Sequence, residues 1–419
     1  MKKWTAGTLG GLLLFGAALP AAAEEERDAS YEVWLADQGT DNIHIYNEQH
    51  EEIDTIDFDD IGADPHMLLF DDQHEYAYAA NMGSGTVSII HGESREVIGT
   101  IETDEGAHAA VPNPNNETVL VANTPGESLS QISLDHENGD YDVVQELDLT
   151  EVESLQNEDE FPDHRPICLD FNADGSKAYV TIGGGGLVVV DTDELEVIEQ
   201  FDQNDVHPHG CGTLLSPDGS EMYANSGSND DGYFYTFDTE TDEMTHKADA
   251  GGLDTHGKYF TTDGQYLYTV HRASDSLTVI DTETKDIVAE QDYIGEAPDL
   301  AVTSPDNKYF YVSMRGPDPA TGTHDMAGNT PGISIIDVET LEVADTIDFS
   351  GIDGTDPHGI DIRVLDAGSQ TYDDYQFEAA GEELPDTAAG LPLSIWIGLA
   401  AAGLGGALLI GRPKKAYSA

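Results

Sequence analysis

The stretch LLSPDGSEMYANSG, residues 214–227, recurs in altered form along this 419-residue chain. FNADGSKAYVTIGG occupies residues 171–184, and TSPDNKYFYVSM occupies residues 303–314. In each copy a short apolar strand runs into a turn containing Pro, Asp, Asn or Gly, and a strand with Tyr and Val follows. Self-similarity of this kind indicates a repeat architecture built from strands.

The complete repeat contains four strands. TTDGQYLYTVHRASDSLTVIDTETKDIV, residues 261–288, adds a third strand that ends in Ile-Asp-Thr and a fourth that closes the unit. Four short antiparallel strands in roughly 40 residues are typical of one β-propeller blade. The unit resembles that of the YVTN-repeat (YncE-like) β-propellers, which reads close to P-x-G-V-A-V-S-P-D-G-x-x-x-Y-V-A-N. The resemblance covers residues 31–364 and implies the fold, but no single activity.

Aligning the repeats on this turn gives seven residues in the first x position, one for each blade. They are His66, His108, Ile167, Cys211, His256, Asp299 and His358. Three strands precede His66, and one strand, residues 359–364, follows His358. We therefore predict an all-β, seven-bladed propeller of four antiparallel strands per blade, in which the C-terminal strand completes the N-terminal blade and closes the ring.

The first strand of each propeller blade lines the central channel, so the seven x positions should form one ring at one channel mouth. Six of the seven are metal-ligand types, namely His66, His108, Cys211, His256, Asp299 and His358. Neutral imidazoles beside a thiolate or carboxylate suit Zn²⁺ or copper. The alternatives are histidines satisfied by packing and ordered water, a disulfide between Cys168 and Cys211, and an exposed turn carboxylate at Asp299.

Further residues are candidates for supporting this ring. Asp64, Asp254 and Asp356 each stand two residues before a ring histidine, where they could accept its second N–H. The long loop of residues 315–332 could cover the ring or add ligands. The accessory candidates in the loops are His164, His207, His209, His324 and Met326, and Arg272 and Arg315 are possible anion contacts.

The composition is strongly acidic. Asp and Glu number 83 against 16 Lys and Arg, which gives a formal net charge of −67. Such a surface repels nucleic acid and anionic lipid. The charge predicts a halophilic protein, because high salt screens the mutual repulsion of carboxylates.

The two ends of the chain predict export and anchoring. Residues 1–23 have the pattern of a signal peptide, for which an N-terminal membrane helix is the alternative. An acidic tether, residues 365–383, leads to an apolar span at residues 391–411 and a basic tail at 412–419. Leu384, Pro385, Asp386, Thr387 and Ala388 resemble the sorting signal of Gram-positive cell-wall proteins.

That resemblance implies cleavage after Thr387 by a sortase and attachment to peptidoglycan, although Ala388 replaces the usual Gly. The alternative is a plain C-terminal membrane anchor, and both interpretations place the propeller at the cell surface. The chain is expected to be a monomer that contacts the membrane only through its span.

Three functions remain open from the sequence. The first is a surface propeller that binds Zn²⁺ or copper for storage, delivery or redox chemistry, with a metal-transport partner. The second is a metal-free binding or scaffold propeller with a surface ligand, and the third is a lactonase-like hydrolase. The chain has no G-x-S-x-G, H-E-x-x-H or phosphate-loop motif, so catalytic residues are not assigned.

Overall fold

The computed structural model describes residues 30–58, 61–321 and 326–365. In these ranges 28 strands form seven four-stranded antiparallel sheets, as the repeat predicts. No helix within them is long and apolar enough to cross a membrane. The predicted signal peptide, tether, sorting motif, span and basic tail lie outside the described residues, apart from Leu365 at the start of the tether.

The first three blades contain β1 to β11 together with the C-terminal strand β28. The first blade combines the C-terminal strand β28 (Pro357–Val364) with β1 (Tyr31–Asp37), β2 (Asn42–Asn47) and β3 (Glu52–Asp57). The second contains β4 (Pro65–Phe70), β5 (Tyr76–Asn81), β6 (Thr86–His91) and β7 (Val97–Glu102). The third contains β8 (Ala107–Pro112), β9 (Thr118–Asn123), β10 (Ser128–Asp135) and β11 (Asp140–Asp148).

The other four blades follow in chain order. Two short 3₁₀ helices, Leu149–Glu151 and Glu153–Leu155, lie in the long connection to the fourth blade. That blade contains β12 (Pro166–Phe171), β13 (Lys177–Ile182), β14 (Leu187–Asp191) and β15 (Glu196–Phe201). The fifth contains β16 (Cys211–Leu215), β17 (Glu221–Ser228), β18 (Asp231–Asp238) and β19 (Met244–Asp249). The sixth contains β20 (Thr255–Phe260), β21 (Tyr266–His271), β22 (Ser276–Asp281) and β23 (Ile287–Gln291), and the seventh β24 (Pro298–Thr303), β25 (Tyr309–Met314), β26 (Gly332–Asp337) and β27 (Val343–Asp348).

The ring closes through the two ends of the propeller. β28 pairs antiparallel with β1, from Tyr31 opposite Val364 to Asp37 opposite Pro357. Ile360 and Ile362 of β28 are buried in a cluster that also contains Val302 of the seventh blade. The predicted closure is confirmed, and it leaves neither end of the ring with an unpaired inner edge.

The tyrosines of the repeat form part of the core. They are buried at equivalent places in the second strands, and their hydroxyls find partners there, as buried tyrosines require. The hydroxyl of Tyr268 donates to the Val338 carbonyl oxygen at 3.0 Å, and those of Tyr31 and Tyr311 lie 2.8 Å apart. The buried set is Tyr78, Tyr179, Tyr223, Tyr268 and Tyr311.

The Gly of the repeat turn is required by the backbone conformation of that turn. The turn between the first and second strands places its Gly residue at positive φ, which a residue without Cβ adopts at little cost. Gly175, Gly219 and Gly264 occupy this place with φ between 70° and 73°. Asn116 and Asn307 replace Gly in the third and seventh blades, since Asn tolerates the left-handed region.

Every outer strand carries a β-bulge. The register between the third and fourth strands shifts by one residue in all seven blades, which leaves one residue of the outer strand unopposed. Bulges twist an exposed edge and make it a poor template for pairing with another chain. The unopposed residues are Ile53, Ile98, Val144, Ile198, Thr245, Val288 and Ala344.

Candidate metal centre at the channel mouth

A second series of bulges aims the ring residues at the channel. In six blades the pairing between first and second strands is irregular at the x position of the repeat. In the fifth blade Cys211 opposes Asn225, and the next residue, Gly212, is the unopposed one. In the second blade, for example, Pro65 opposes Asn81 and Met67 opposes Ala80, so that His66 has no partner. Bulges re-aim side chains in this way beside functional sites. In a regular strand the alternation of side chains would point these residues toward a neighbouring blade. The bulge turns them toward the axis of the channel instead.

The structure brings three of the ring histidines into direct contact. His66 Nε2 and His108 Nε2 lie 3.0 Å apart, so one imidazole donates and the other accepts. The rings of His66 and His358 are stacked, with centroids 3.7 Å apart and an interplanar angle of 25°. All three side chains are buried.

Asp299 joins His358 to His256. His256 Nε2 lies 3.1 Å from one Asp299 carboxylate oxygen, and His358 Nε2 lies 3.4 Å from the other. A ligand atom from each of the three side chains can be chosen so that all lie within 4.8 Å of one another, and all three residues are buried. Among the described residues this is the one group of His, Cys, Asp or Glu side chains close enough to share a metal ion.

Two buried arginines hold this group in place. Arg272 donates to both oxygens of Asp254 at 2.9 and 3.1 Å and to Asp299 at 3.3 Å. Arg315 likewise donates to both oxygens of Asp356 at 2.8 and 2.7 Å and to Asp299 at 2.9 Å. The predicted anion contacts are thus bound to carboxylates of the protein itself.

The Nδ1–H groups of His66 and His358 donate to other acceptors than the carboxylates two residues before them. The Nδ1–H of His66 donates to Oε1 of Gln38 at 2.6 Å, and that of His358 donates to the backbone oxygen of His66 at 3.0 Å. Gln38, like Arg272 and Arg315, is the first residue after the second strand of its blade. That shared repeat position is the signal that could have identified Gln38 from the sequence.

Burial sets the protonation of the ring histidines. It lowers the pKa of His358 to about 4, although Asp299 acts in the opposite direction. Burial also holds the pKa of His66 well below its usual value, with His358 and His108 adding to the effect. His256 is lowered in the same way by burial and by Arg272. These three imidazoles are therefore neutral at pH 7.

Asp299 is the opposite case. Burial alone would raise its pKa, but His358, His256, Arg315 and Arg272 together hold it far below its usual value. Because His256 and His358 are neutral at pH 7, the two guanidiniums are the charges that keep Asp299 ionised there. The site consequently offers neutral nitrogens and one carboxylate, which are the forms that bind metal ions.

The remaining two x residues are Ile167 and Cys211. They lie on the side of the channel that contains both cysteines, Cys168 and Cys211, which we call the sulfur-containing side. Cys211 Sγ lies 2.9 Å from Cys168 Sγ, and both side chains are buried. The buried Lys258, which the sequence did not single out, donates to the Gly212 carbonyl oxygen and to Asn225 Oδ1. Cys211 therefore has a sulfur atom as its neighbour rather than a ring imidazole.

Most accessory candidates are engaged away from the ring. His164 Nε2 donates to the Leu155 carbonyl oxygen at 3.0 Å, and the His207 ring packs edge-on against Tyr233 with centroids 4.3 Å apart. Asp64 is half-buried, and its pKa is raised by burial and by Asp41.

The long loop does reach the ring. Thr321 Oγ1 donates to Gln38 Oε1 at 3.1 Å, and the backbone N–H of Ala320 donates to Asp356 at 2.7 Å. Met326 is buried, and His324 lies outside the described residues. His209 is half-buried, with a positive φ of 60°, in the loop that enters the fifth blade.

Comparison with known proteins supports the fold. No protein-family model and no curated protein sequence matches the chain. Among solved structures, a putative 6-phosphogluconolactonase from Bacteroides uniformis has 16% identity and a TM-score of 0.60 over 80% of this chain and 99% of that chain. Another from Bacteroides fragilis has 16% identity and a TM-score of 0.58 over 80% and 98%.

Hydrazine synthase from Kuenenia stuttgartiensis is similar at 17% identity, with a TM-score of 0.51 over 68% of this chain and 81% of that chain. At these identities the likeness concerns architecture alone. The chain is a seven-bladed β-propeller with lactonase-like and other propeller neighbours.

Proposed function

We propose that the propeller binds a transition-metal ion, Zn²⁺ or copper, at His256, Asp299 and His358. His66 and His108 are the further imidazoles that can complete the coordination. Two imidazoles and one carboxylate form a donor set found for both metals.

The observation that carries the proposal is the pairing of His358 with Asp299. The Nδ1–H of His358 is committed to the His66 backbone oxygen, so its neutral ring presents a lone pair at Nε2. That lone pair faces a carboxylate oxygen 3.4 Å away. A cation between the two acceptors, either a metal ion or the proton of a charged imidazole, would make this approach favourable, and at pH 7 the imidazole is neutral. The separation is also that of two ligands on a tetrahedral zinc ion, about 3.4 Å for bonds of about 2.0–2.1 Å.

The charge of the surrounding network points the same way. Asp254, Asp299 and Asp356 contribute three negative charges, while Arg272 and Arg315 contribute two positive ones, all in buried side chains. The connected set therefore carries one net negative charge in a medium where an uncompensated charge is costly. A bound cation would compensate it without protonating a histidine.

Two buried imidazole nitrogens of the histidines at the channel mouth have no hydrogen-bond partner of nitrogen or oxygen type among the described residues. They are Nδ1 of His256 and Nδ1 of His108, whose imidazole lies beside the Cys168 thiol. Buried polar atoms are nearly always satisfied by the protein, by an ordered water or by an ion. Nε2 of His256 already faces Asp299, so the Nδ1 atom of that imidazole lies on its other side and is not a second ligand for the same ion.

The test is metal content and affinity. Protein purified without chelator or nickel should contain one equivalent of zinc or copper, and competition with a chromophoric chelator should yield its affinity. We expect binding at least about tenfold weaker after His66→Ala with His358→Ala, and the same after His256→Ala. His136→Ala is the matched control, because that imidazole stacks on Tyr76 away from the channel. Metal-free protein that binds neither ion would leave the metal-free scaffold function.

A lactonase-like hydrolysis is the second candidate, because two of the similar structures are putative 6-phosphogluconolactonases. A phosphorylated lactone would need a cationic group to receive its phosphate. Both guanidiniums at the ring are already bound to carboxylates, which favours the metal site. Hydrolysis of phosphorylated and neutral lactones by the metal-loaded and metal-free protein, with loss on His256→Ala, would establish this function.

The location of the protein is a separate part of the proposal. We propose that it is exported and attached to the cell wall through Leu384, Pro385, Thr387 and Ala388. The motif, the following apolar span and the basic tail support this attachment. Muramidase-released protein should end at Thr387 by mass analysis. An intact C-terminal tail in the membrane fraction would show a plain membrane anchor instead.

A further inference from the structure

The sulfur-containing side of the channel carries a second inference, independent of the metal site. Cys168 directly follows Ile167, the x residue of the fourth blade, and Cys211 directly precedes Gly212, the unopposed residue of the fifth. Their Sγ atoms lie 2.9 Å apart across two neighbouring inner strands. They are the two cysteines of the whole chain, so neither has another partner within it.

The backbone around both cysteines is held in this approach. Thr181 Oγ1 accepts from the Cys168 N–H and donates to the Cys168 carbonyl oxygen, each at 3.2 Å. Gly210, directly before Cys211, lies against the same threonine, and a Cβ there would come within 3.1 Å of Thr181 Cβ. Thr181 therefore holds the Cys168 backbone through two hydrogen bonds. It also leaves little room for a side chain at Gly210.

We propose that Cys168 and Cys211 form a disulfide bond that joins the inner strands β12 and β16 of neighbouring blades. To form the bond the two sulfur atoms must approach from 2.9 Å to about 2.05 Å. Because both side chains are buried, it forms during folding, before the fourth and fifth blades pack together.

The oxidant is an external disulfide, such as that of a thiol oxidoreductase or oxidised glutathione. The thiolate of one cysteine attacks a sulfur of the external disulfide, which forms a mixed disulfide and releases one thiolate. The thiolate of the other cysteine then attacks the first cysteine's sulfur and releases the second external thiolate. Two electrons pass to the external disulfide, and the two cysteines lose their two protons to water.

The disulfide has a consequence for the ring. It removes Cys211 from the possible ligands, since a sulfur in a disulfide is not a thiolate. Metal binding would then depend on nitrogen and oxygen donors, as at His256, Asp299 and His358. A failure of the metal proposal would leave the disulfide untouched, because thiol counting requires no metal.

Thiol labelling of the full chain tests the bond. Protein refolded with oxidised and reduced glutathione, then denatured without reductant, should react with no maleimide, and with two after reduction. Cys168→Ser is the control and should expose one reactive thiol without reductant. Two reactive thiols in the unreduced wild type would overturn the proposal.

Stability and metal affinity give two further readouts. Reductant should lower the melting temperature of the wild type by several degrees and leave that of Cys168→Ser unchanged. An equal response of the two proteins would contradict a native disulfide. Cys211→Ser should leave the metal affinity unchanged. A large loss of affinity would instead show a thiolate ligand and would also overturn the proposal.

Discussion

The inner and outer edges of the blades use the same device for opposite purposes. Both carry a bulge in every blade. At the inner edge it turns one side chain toward the channel, where imidazoles, carboxylates and guanidiniums are buried together. At the outer edge it leaves a residue such as Ile98 or Ile198 exposed on the outermost strand of its blade. The same backbone irregularity therefore buries polar side chains where the blades converge and leaves apolar side chains exposed at the outer edge.

The inner edge also holds the fold together, whereas each outer strand contacts mainly its own blade. Truncation after Thr355 removes β28, the inner strand of the closing blade. We expect the largest effect of any change here, loss of cooperative unfolding, because Ile360 and Ile362 leave the core and β1 becomes an open edge. Thermal melting with light scattering measures it. Truncation after Leu365 is the control and should melt as the full propeller does.

The buried charges predict a second difference between the edges. Asp299→Asn should destabilise the metal-free protein by about 1–3 kcal/mol, because Arg272 and Arg315 both donate to Asp299 and the single amide oxygen of Asn leaves one buried donor without its acceptor. Asp142→Asn on the exposed outer strand β11 should change stability by less than about 0.5 kcal/mol. Urea unfolding compares the midpoints of the two variants. Equal midpoints would contradict the structural importance of the inner network.

The buried histidines predict how stability changes with pH. Burial lowers the pKa of His271 to about 4, whereas it is about 6.5 in the unfolded chain. The unfolded state therefore binds more protons between these values, and His271 costs stability as the pH falls from about 6.5 to 4. His271→Gln should flatten this loss by up to about 1.4 kcal/mol per pH unit. Parallel pH profiles of wild type and variant would refute a depressed pKa.

Salt should act mainly on the outer surface. The formal net charge is −67, while the inner carboxylates Asp254, Asp299 and Asp356 are paired with arginines. Raising the salt from low to molar concentration should raise the melting temperature by several degrees, because it screens exposed carboxylates and leaves buried pairs largely unaffected. The increase should be the same in Asp142→Asn and wild type within error. A melting temperature independent of salt would refute the halophilic interpretation.

Much of the architecture could be predicted because it depends on local chemistry. Asp-Gly and Asn at the repeat turn, Tyr in the second strand and β-branched residues in the third are readable one blade at a time. The number of blades and the closing pair β28–β1 followed from counting strands. The partners of the ring residues did not follow, because each comes from another blade. Asp254 and Asp356 were predicted to serve histidines, yet they bind Arg272 and Arg315.

The sequence alone determined that seven copies of one unit close into a ring and that histidine occupies the same place in four of them. It could do so because the pattern of apolar residues and turns is repeated within each blade. Only the tertiary structure decided which of these side chains meet. It places His358 against Asp299 and Cys211 against Cys168. The physical reason is that contacts across the channel depend on the bulge at each x position and on the packing of neighbouring blades, which no single repeat encodes.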